Sequence, residues 1–231
     1  MSTSNQTDAR RPIRSYVIRS GRLTDSQRLA IDQHWGEFVI ATDNQLLPLD
    51  DLFPQPGRLV VEIGFGMGDS LLEMAQQDPG SNFIGIEVHR PGVGKLLHGI
   101  VEHQLTNLKI ISYDATEVLA SCFPPASIDK IMIFFPDPWP KKKHQKRRIV
   151  QPAFMALLRD RLKPGGEIHL ATDWQEYAEY MVEVMESVPG LSNRIGAGQY
   201  WENPLRPGTK FERRGKRLGH GVWDLLYGSD S

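Results

Sequence analysis

The sequence predicts an α/β protein with a mostly parallel sheet covered by helices on both faces. Three observations predict it. Short apolar runs rich in β-branched residues recur between residues 59 and 171, helical segments alternate with them, and three glycines at alternate positions stand where the first run turns into a helix. Alternating βα units imply parallel strands joined by right-handed crossovers, so both sheet faces must be covered.

Residues 1 to about 22 are polar and basic without a sustained period and read as a flexible arm. Thr24-Asp25-Ser26-Gln27 matches a capping box, which predicts a short helix to about His34. Strands are expected near Leu59 to Ile63, Phe83 to Val88, Leu108 to Ser112, Lys130 to Phe135 and Glu167 to Ala171. Helices between them are expected near Ser70 to Gln77, Val93 to His103, Thr116 to Ala120 and Ile149 to Leu162. Pro164-Gly165-Gly166 stops the last of these and turns into a strand. Asp173-Trp174-Gln175-Glu176 opens a further helix to about Ser187, and Gly221 to Tyr227 reads as a late edge strand. The chain thus divides into a basic arm with a short helix, 1–45, and an α/β domain, 46–231.

At 231 residues there is room for one substantial core. Net charge is only -1, but residues 141 to 148, Arg10 to Arg22 and Leu205 to Arg217 carry 16 net positive charges, leaving -17 on the rest. Three basic segments on an acidic body are a footprint for a polyanion, with nucleic acid the leading partner. No segment pairs that charge with a broad apolar helical face, so a membrane surface is disfavoured. Cys122 is the only cysteine, which excludes intrachain disulfides and cysteine-based zinc sites, and the histidines show no metal-ligand spacing, so no metal is expected. No apolar run reaches transmembrane length and the start lacks a secretory apolar region, so a cytoplasmic location is the expectation.

The chemistry concentrates in Pro136-Asp137-Pro138-Trp139-Pro140-Lys141-Lys142-Lys143-His144-Gln145-Lys146-Arg147-Arg148. The prolines present Asp137 on a stiff, non-helical segment just after a buried strand, where open α/β sheets bind ligands. An Asx-type turn followed by a solvated charge run is the alternative. Cations at the N-terminus of a helix starting near Ile149 would oppose its dipole, so Lys146, Arg147 and Arg148 imply another use.

Gly64, Gly66 and Gly68 give a close-approach turn of the form G-x-G-x-G; Asp69 stands where a dinucleotide fingerprint would need glycine. Glu87, ending the second strand, is suited to accept two hydrogen bonds from a ribose diol, and Asp114, after the third, to meet an adenine amino group. A surface acid and a helix cap are the respective alternatives.

Glu62 to Gly68, the Glu87 strand, Asp114, Phe135 to Lys141, Asp173-Trp174 and Thr209-Lys210-Phe211-Glu212 together resemble the bacterial tRNA (guanine-N7)-methyltransferases, from about Arg14 to Tyr227. The resemblance implies a Rossmann-like, S-adenosylmethionine-dependent methyltransferase fold of seven strands, with a late strand antiparallel. It implies tRNA as partner, methylation at N7 of a variable-loop guanosine, position 46, and a monomer. By the same resemblance Glu62, Gly64, Gly66, Gly68, Glu87, Asp114 and Asp137 would hold S-adenosylmethionine. Asp137 would also orient guanine, and Lys141, Asp173, Thr209, Lys210, Phe211 and Glu212 would contact substrate. Lys143, Lys146, Arg147 and Arg148 would grip the phosphate backbone. Trp139 is open between base stacking and packing; Trp35, Trp201 and Trp223 are expected to pack. An amino-directed nucleic-acid methyltransferase, an RNA-binding module without turnover and a dehydrogenase are the competing readings.

Overall fold

Apolar side chains on both sides of nearly every strand force the sheet into the middle of the molecule. The structure, a computed structural model, describes residues 15–16, 21–208, 212 and 221–230. Most of the expected arm and Thr209, Lys210 and Phe211 lie outside them. The strands are β1 (Arg58–Ile63), β2 (Ser81–Ile86), β3 (Leu108–Ile111), β4 (Ile128–Phe134), β5 (Leu162–Thr172), β6 (Leu191–Asn193) and β7 (Trp223–Ser229). The helices are α1 (Asp25–Phe38), α2 (Asp69–Gln77), α3 (Arg90–Glu102), α4 (Ala115–Ser121), α5 (Pro152–Arg161) and α6 (Gln175–Glu186).

The seven strands run in the order β3-β2-β1-β4-β5-β7-β6, with β7 and β6 antiparallel to their neighbours. Strand order reverses between β1 and β4, so the crevice at their carboxyl ends is the expected ligand site. Period-two alternation sorts the core by face. Val61, Ile63, Ile84, Ile131 and Ile133 pack with α4, α5 and α6, while Val60, Phe83, Met132 and Phe134 pack with α1, α2 and α3.

The capping box at Thr24 is formed in both directions. Its helix continues past His34 to Phe38 because Trp35 and Phe38 still have core to lie against. Val39 then bridges Ile110 in parallel, and Ile40 N donates to Ile110 O at 2.8 Å, which covers the open edge of β3.

Three expectations need correction. The late strand β7 is not an edge: the three-residue β6, too short to show a period, pairs outside it. The turn at Pro164-Gly165-Gly166 lies inside β5 as an irregularity, since pairing with β4 jumps from Ile128↔Leu162 to Lys130↔Glu167. Finally, α5 starts only at Pro152, and Lys142–Arg147 form a separate 3₁₀ segment. The basic run therefore does not sit on the helix N-terminus, and the dipole conflict does not arise. Residues 148 to 151 lie between, where Pro152 fixes the start of the helix.

Candidate functional site

The strand–glycine–helix junction forms one wall of the crevice. Gly64, Gly66 and Gly68 all have positive φ, at 75°, 60° and 78°. A Cβ added at Gly64 or Gly66 would meet nothing within 4 Å, so the loop leaves an open cradle. At Gly92 an added Cβ would collide with the Gly66 carbonyl oxygen, so the start of α3 is pressed against the loop's outer side.

Three acids face this wall in different states. Glu62 is 3% exposed and its Oε2 has no hydrogen-bond partner among the described residues. Burial, and then the Glu87 charge, push its carboxyl up to about 8, against a smaller opposing pull from Arg206. Glu87 instead accepts three backbone bonds, Gly66 N on Oε2 at 2.9 Å, and Val88 N and His89 N on Oε1 at 2.7 and 2.9 Å. That clamps the glycine loop to the end of β2. Asp114 caps α4 through Oδ1, which accepts from Thr116 N at 2.8 Å and Thr116 Oγ1 at 2.6 Å. Cap and ligand contact are compatible, because Oδ2 makes no hydrogen bond among the described residues. An orphaned buried carboxylate oxygen beside an open glycine cradle fits a group with donor or cationic atoms, as a sulfonium nucleoside has.

Asp137 stands across the crevice, exposed, just beyond β4. The chain reaches it through backbone that L-residues seldom adopt: Phe135 has φ 51° and Trp139 φ 43°. Such conformations persist only where surroundings hold them. Phe135 N donates to Ala171 O at 2.8 Å. Arg147 lies over the Trp139 indole at 4.2 Å, and Trp139 Nε1 makes a long bond of 3.4 Å to Ser15 O. The indole therefore packs on this loop, with Arg147 over one of its two faces.

Arg148, expected on the phosphate backbone, is 3% exposed and turned inward. Its Nε donates to Pro138 O at 2.9 Å, its Nη2 reaches Glu176 Oε1 at 3.5 Å, and its guanidinium lies 4.8 Å from both the Tyr177 and Tyr180 rings. It braces the Asp137 loop against α6, a role that only the tertiary arrangement discloses. Lys141, Lys143 and Lys146 are exposed, and none of them enters an ion pair among the described residues.

Asp173 follows β5, half-buried, and makes no cap: the N-cap of α6 is Trp174, whose N–H is met by Thr172 Oγ1 at 3.3 Å. Asp173 instead lines a cavity of about 520 Å³ with Trp174, Glu176, Glu179 and Trp223. A cavity of about 610 Å³, between His34, Phe38, Phe53, Ile100 and Lys109, lies at the opposite end of the sheet and touches no expected site residue.

Sequence reasoning missed a buried ionic cluster behind the site. Arg206, counted there within a basic surface segment, has a side chain 2% exposed. It forks onto Asp224, Nε to Oδ1 at 2.6 Å and Nη2 to Oδ2 at 2.7 Å, and Nη1 reaches Glu212 Oε2 at 2.7 Å. Asp224 Oδ1 also lies 2.8 Å from His169 Nε2. Burial alone would raise the Asp224 carboxyl, but hydrogen bonds from Arg206 and His169 win and hold it low. Burial holds His169 below its usual range, outweighing Asp224, so it donates as a neutral ring. The one sequence signal was an aspartate inside the apolar run from Val222 to Tyr227.

Among the described residues no group of three or more His, Cys, Asp or Glu is placed to hold a metal ion, and no helix is long and apolar enough to cross a membrane. The sheet order, the glycine cradle and the strand-end acids define the class of Rossmann-like methyltransferases. Solved structures agree on the fold: the aminoglycoside resistance methyltransferase NpmB1 superposes with a TM-score of 0.55 at 17% identity, covering 80% of this chain and 94% of that one. The 16S rRNA methyltransferase KamB gives 0.58 at 14% identity, covering 81% and 95%. A family model described as "Putative methyltransferase" matches residues 56–225. The tRNA (guanine-N(7)-)-methyltransferases of Ectopseudomonas mendocina and Stutzerimonas stutzeri are 52% and 51% identical to the chain. The first alignment covers 94% of this chain and 92% of the relative, the second 96% and 94%. The chain belongs to the tRNA (guanine-N(7)-)-methyltransferase family.

Proposed function

We propose that this protein transfers the methyl group of S-adenosylmethionine to N7 of a guanosine in tRNA, at position 46 of the variable loop, giving 7-methylguanosine. The observation that carries the reading is near-full-length similarity to proteins of that name, on a chain with an open glycine cradle after β1 and an exposed Asp137 after the neighbouring β4, followed by exposed lysines.

Gly64, Gly66 and Gly68 would let the backbone approach the cofactor closely, with remaining lone pairs of Glu87 toward ribose hydroxyls and Asp114 Oδ2 toward the adenine amino group. Glu62 would meet cationic atoms and ionise on doing so. When bound, the cofactor supplies a methyl group made electrophilic by its sulfonium. Transfer to N7 would leave the purine cationic, so the residues around it would have to bear that charge. N7 carries a lone pair and no proton, so the protein needs alignment more than a strong base. Asp137 would orient guanine through its N1–H and amino edge and stabilise the charge growing on the ring. Lys141, Asp173 and the segment from Thr209 to Glu212 would contact substrate, the Asp173 carboxylate being uncommitted. Lys143, Lys146 and Arg147 would add phosphate contacts with little sequence choice.

The test is methyl transfer from labelled S-adenosylmethionine to unmodified tRNA, with nucleoside analysis and reductive aniline cleavage. Label in 7-methylguanosine with one cleavage in the variable loop is expected. Label in another nucleoside would move the function to amino-group methylation, and no label on competent tRNA would remove the activity.

A further inference from the structure

The guanidinium of Arg206 touches three parts of the proposed reaction centre at once. Its fork on Asp224 fixes it to β7, next to β5 in the sheet, and Trp201 N donates to Asp224 O at 2.8 Å, so the segment from Trp201 to Arg206 is laid along that strand. Its third arm holds Glu212, the last residue of the expected substrate segment. Its faces lie 5.3 Å from the Phe134 ring and 5.5 Å from the Phe135 ring, at the turn that leads into Pro136-Asp137. His169 completes the packing, edge-on to Phe134 at 4.9 Å and against Trp201 at 5.2 Å. The charge of Arg206 also favours the ionised form of Glu62 on β1.

Packing alone would not require a cation here. Apolar residues of similar volume often fill buried ion-pair sites at no net loss or with a gain, so a buried fork on two carboxylates serves geometry more than stability. Arginine suits this because its planar donors fix angle as well as distance. Resting on the methyl-transfer reading above, we propose that Arg206 is the positioning residue of the reaction: it locks the C-terminal substrate segment and the Asp137 turn in one register. The register depends on the planar fork, which lysine and methionine both lack.

The experiment uses the full chain as wild type, Arg206→Lys and Arg206→Met, with Asp224→Asn as a milder way to weaken the fork. Cofactor binding is followed by calorimetry from pH 6 to 9, and single-turnover methylation of tRNA is measured at saturating cofactor. Arg206→Lys is expected to bind cofactor within about threefold of wild type at every pH yet to methylate tRNA at least 10-fold more slowly. Asp224→Asn should shift the rate in the same direction by less. Arg206→Met is expected to slow methylation by at least as much as Arg206→Lys. Hydrogen exchange should show Trp201 to Gly208 less protected in all three while the amides of β1 keep their protection. Wild-type rates in a folded Arg206→Lys or Arg206→Met protein would overturn the positioning role. If Arg206→Met does not fold, an Asp224→Asn protein with unchanged rate and unchanged exchange overturns the proposal on its own. A wild-type protein that binds cofactor but leaves 7-methylguanosine unformed would instead sink the methyl-transfer reading, and the binding and exchange arms would still judge Arg206.

Discussion

The cradle half of the crevice and the substrate half are built by different means. From Glu62 to Asp114 the functional groups sit at the ends of three neighbouring strands and are held by backbone hydrogen bonds over short spans, as when Glu87 takes the amides of Val88, His89 and Gly66. Across the crevice the loop and the C-terminal segment are held by buried side-chain cations working over long sequence distance: Arg148 joins Pro138 to Glu176, and Arg206 joins Asp224 to Glu212 beneath Phe135. A site for a small, constant ligand is fixed by the chain's local path. The half proposed for a large substrate hangs on distant braces, and those braces are where it can be loosened without touching the cradle.

Removing the working group of the substrate half should have the largest effect. Asp137→Ala is expected to lower the single-turnover rate at saturating cofactor by about 10²- to 10³-fold, the range for losing one preorganised charge-stabilising group, with Asp137→Asn retaining more. Undiminished turnover in both would place charge stabilisation elsewhere.

Loosening a brace comes next. Arg148→Met keeps the stacking volume but leaves the Pro138 carbonyl unmatched, a loss of about 1–3 kcal/mol in denaturant unfolding. Turnover should drop while cofactor affinity stays near wild type, and a parallel loss of cofactor affinity would mean that the two halves are not separately held.

Within the cradle, Glu62 sets a pH dependence. Its folded pKa lies above its unfolded value, so its stabilising share is complete at acid pH and drains as pH rises through about 8 in the free protein. Glu62→Gln should therefore unfold at higher denaturant than wild type at pH 9, by on the order of 5 kcal/mol, and little differently at pH 4. A cationic ligand reverses the preference: cofactor affinity should weaken about tenfold per pH unit below about 8, and Glu62→Gln should flatten that slope. A flat profile in the wild type would show that Glu62 is already ionised before binding.

The smallest effects are expected on the exposed cations. Lys143→Ala and Lys146→Ala should each weaken tRNA binding a few-fold at low salt and reduce the salt slope by about 1, with no change in the single-turnover rate. A rate change would draw the 3₁₀ segment into the reacting geometry.

Glycines with alternate spacing, acids at strand ends and prolines around Asp137 were legible because each acts through its own neighbourhood: period, turn conformation and fixed φ are properties of a few consecutive residues. Arg148 and Arg206 were not, since a string of basic letters looks the same whether its members face water or a buried carboxylate. The three-residue β6 escaped for a related reason, being too short to carry a period of its own.

By itself, then, the sequence determined the alternating sheet, the glycine turn and the placing of Glu62, Glu87, Asp114 and Asp137 at strand ends, because backbone preferences and apolar period act locally. Tertiary structure alone decided which cations are solvent-facing and which are braces, that β7 lies inside the sheet, and that Arg206 gathers Asp224, Glu212 and Phe135 into one cluster. Burial and charge pairing are set by residues far away in the chain, and desolvation reverses the meaning of a charge that composition can only count.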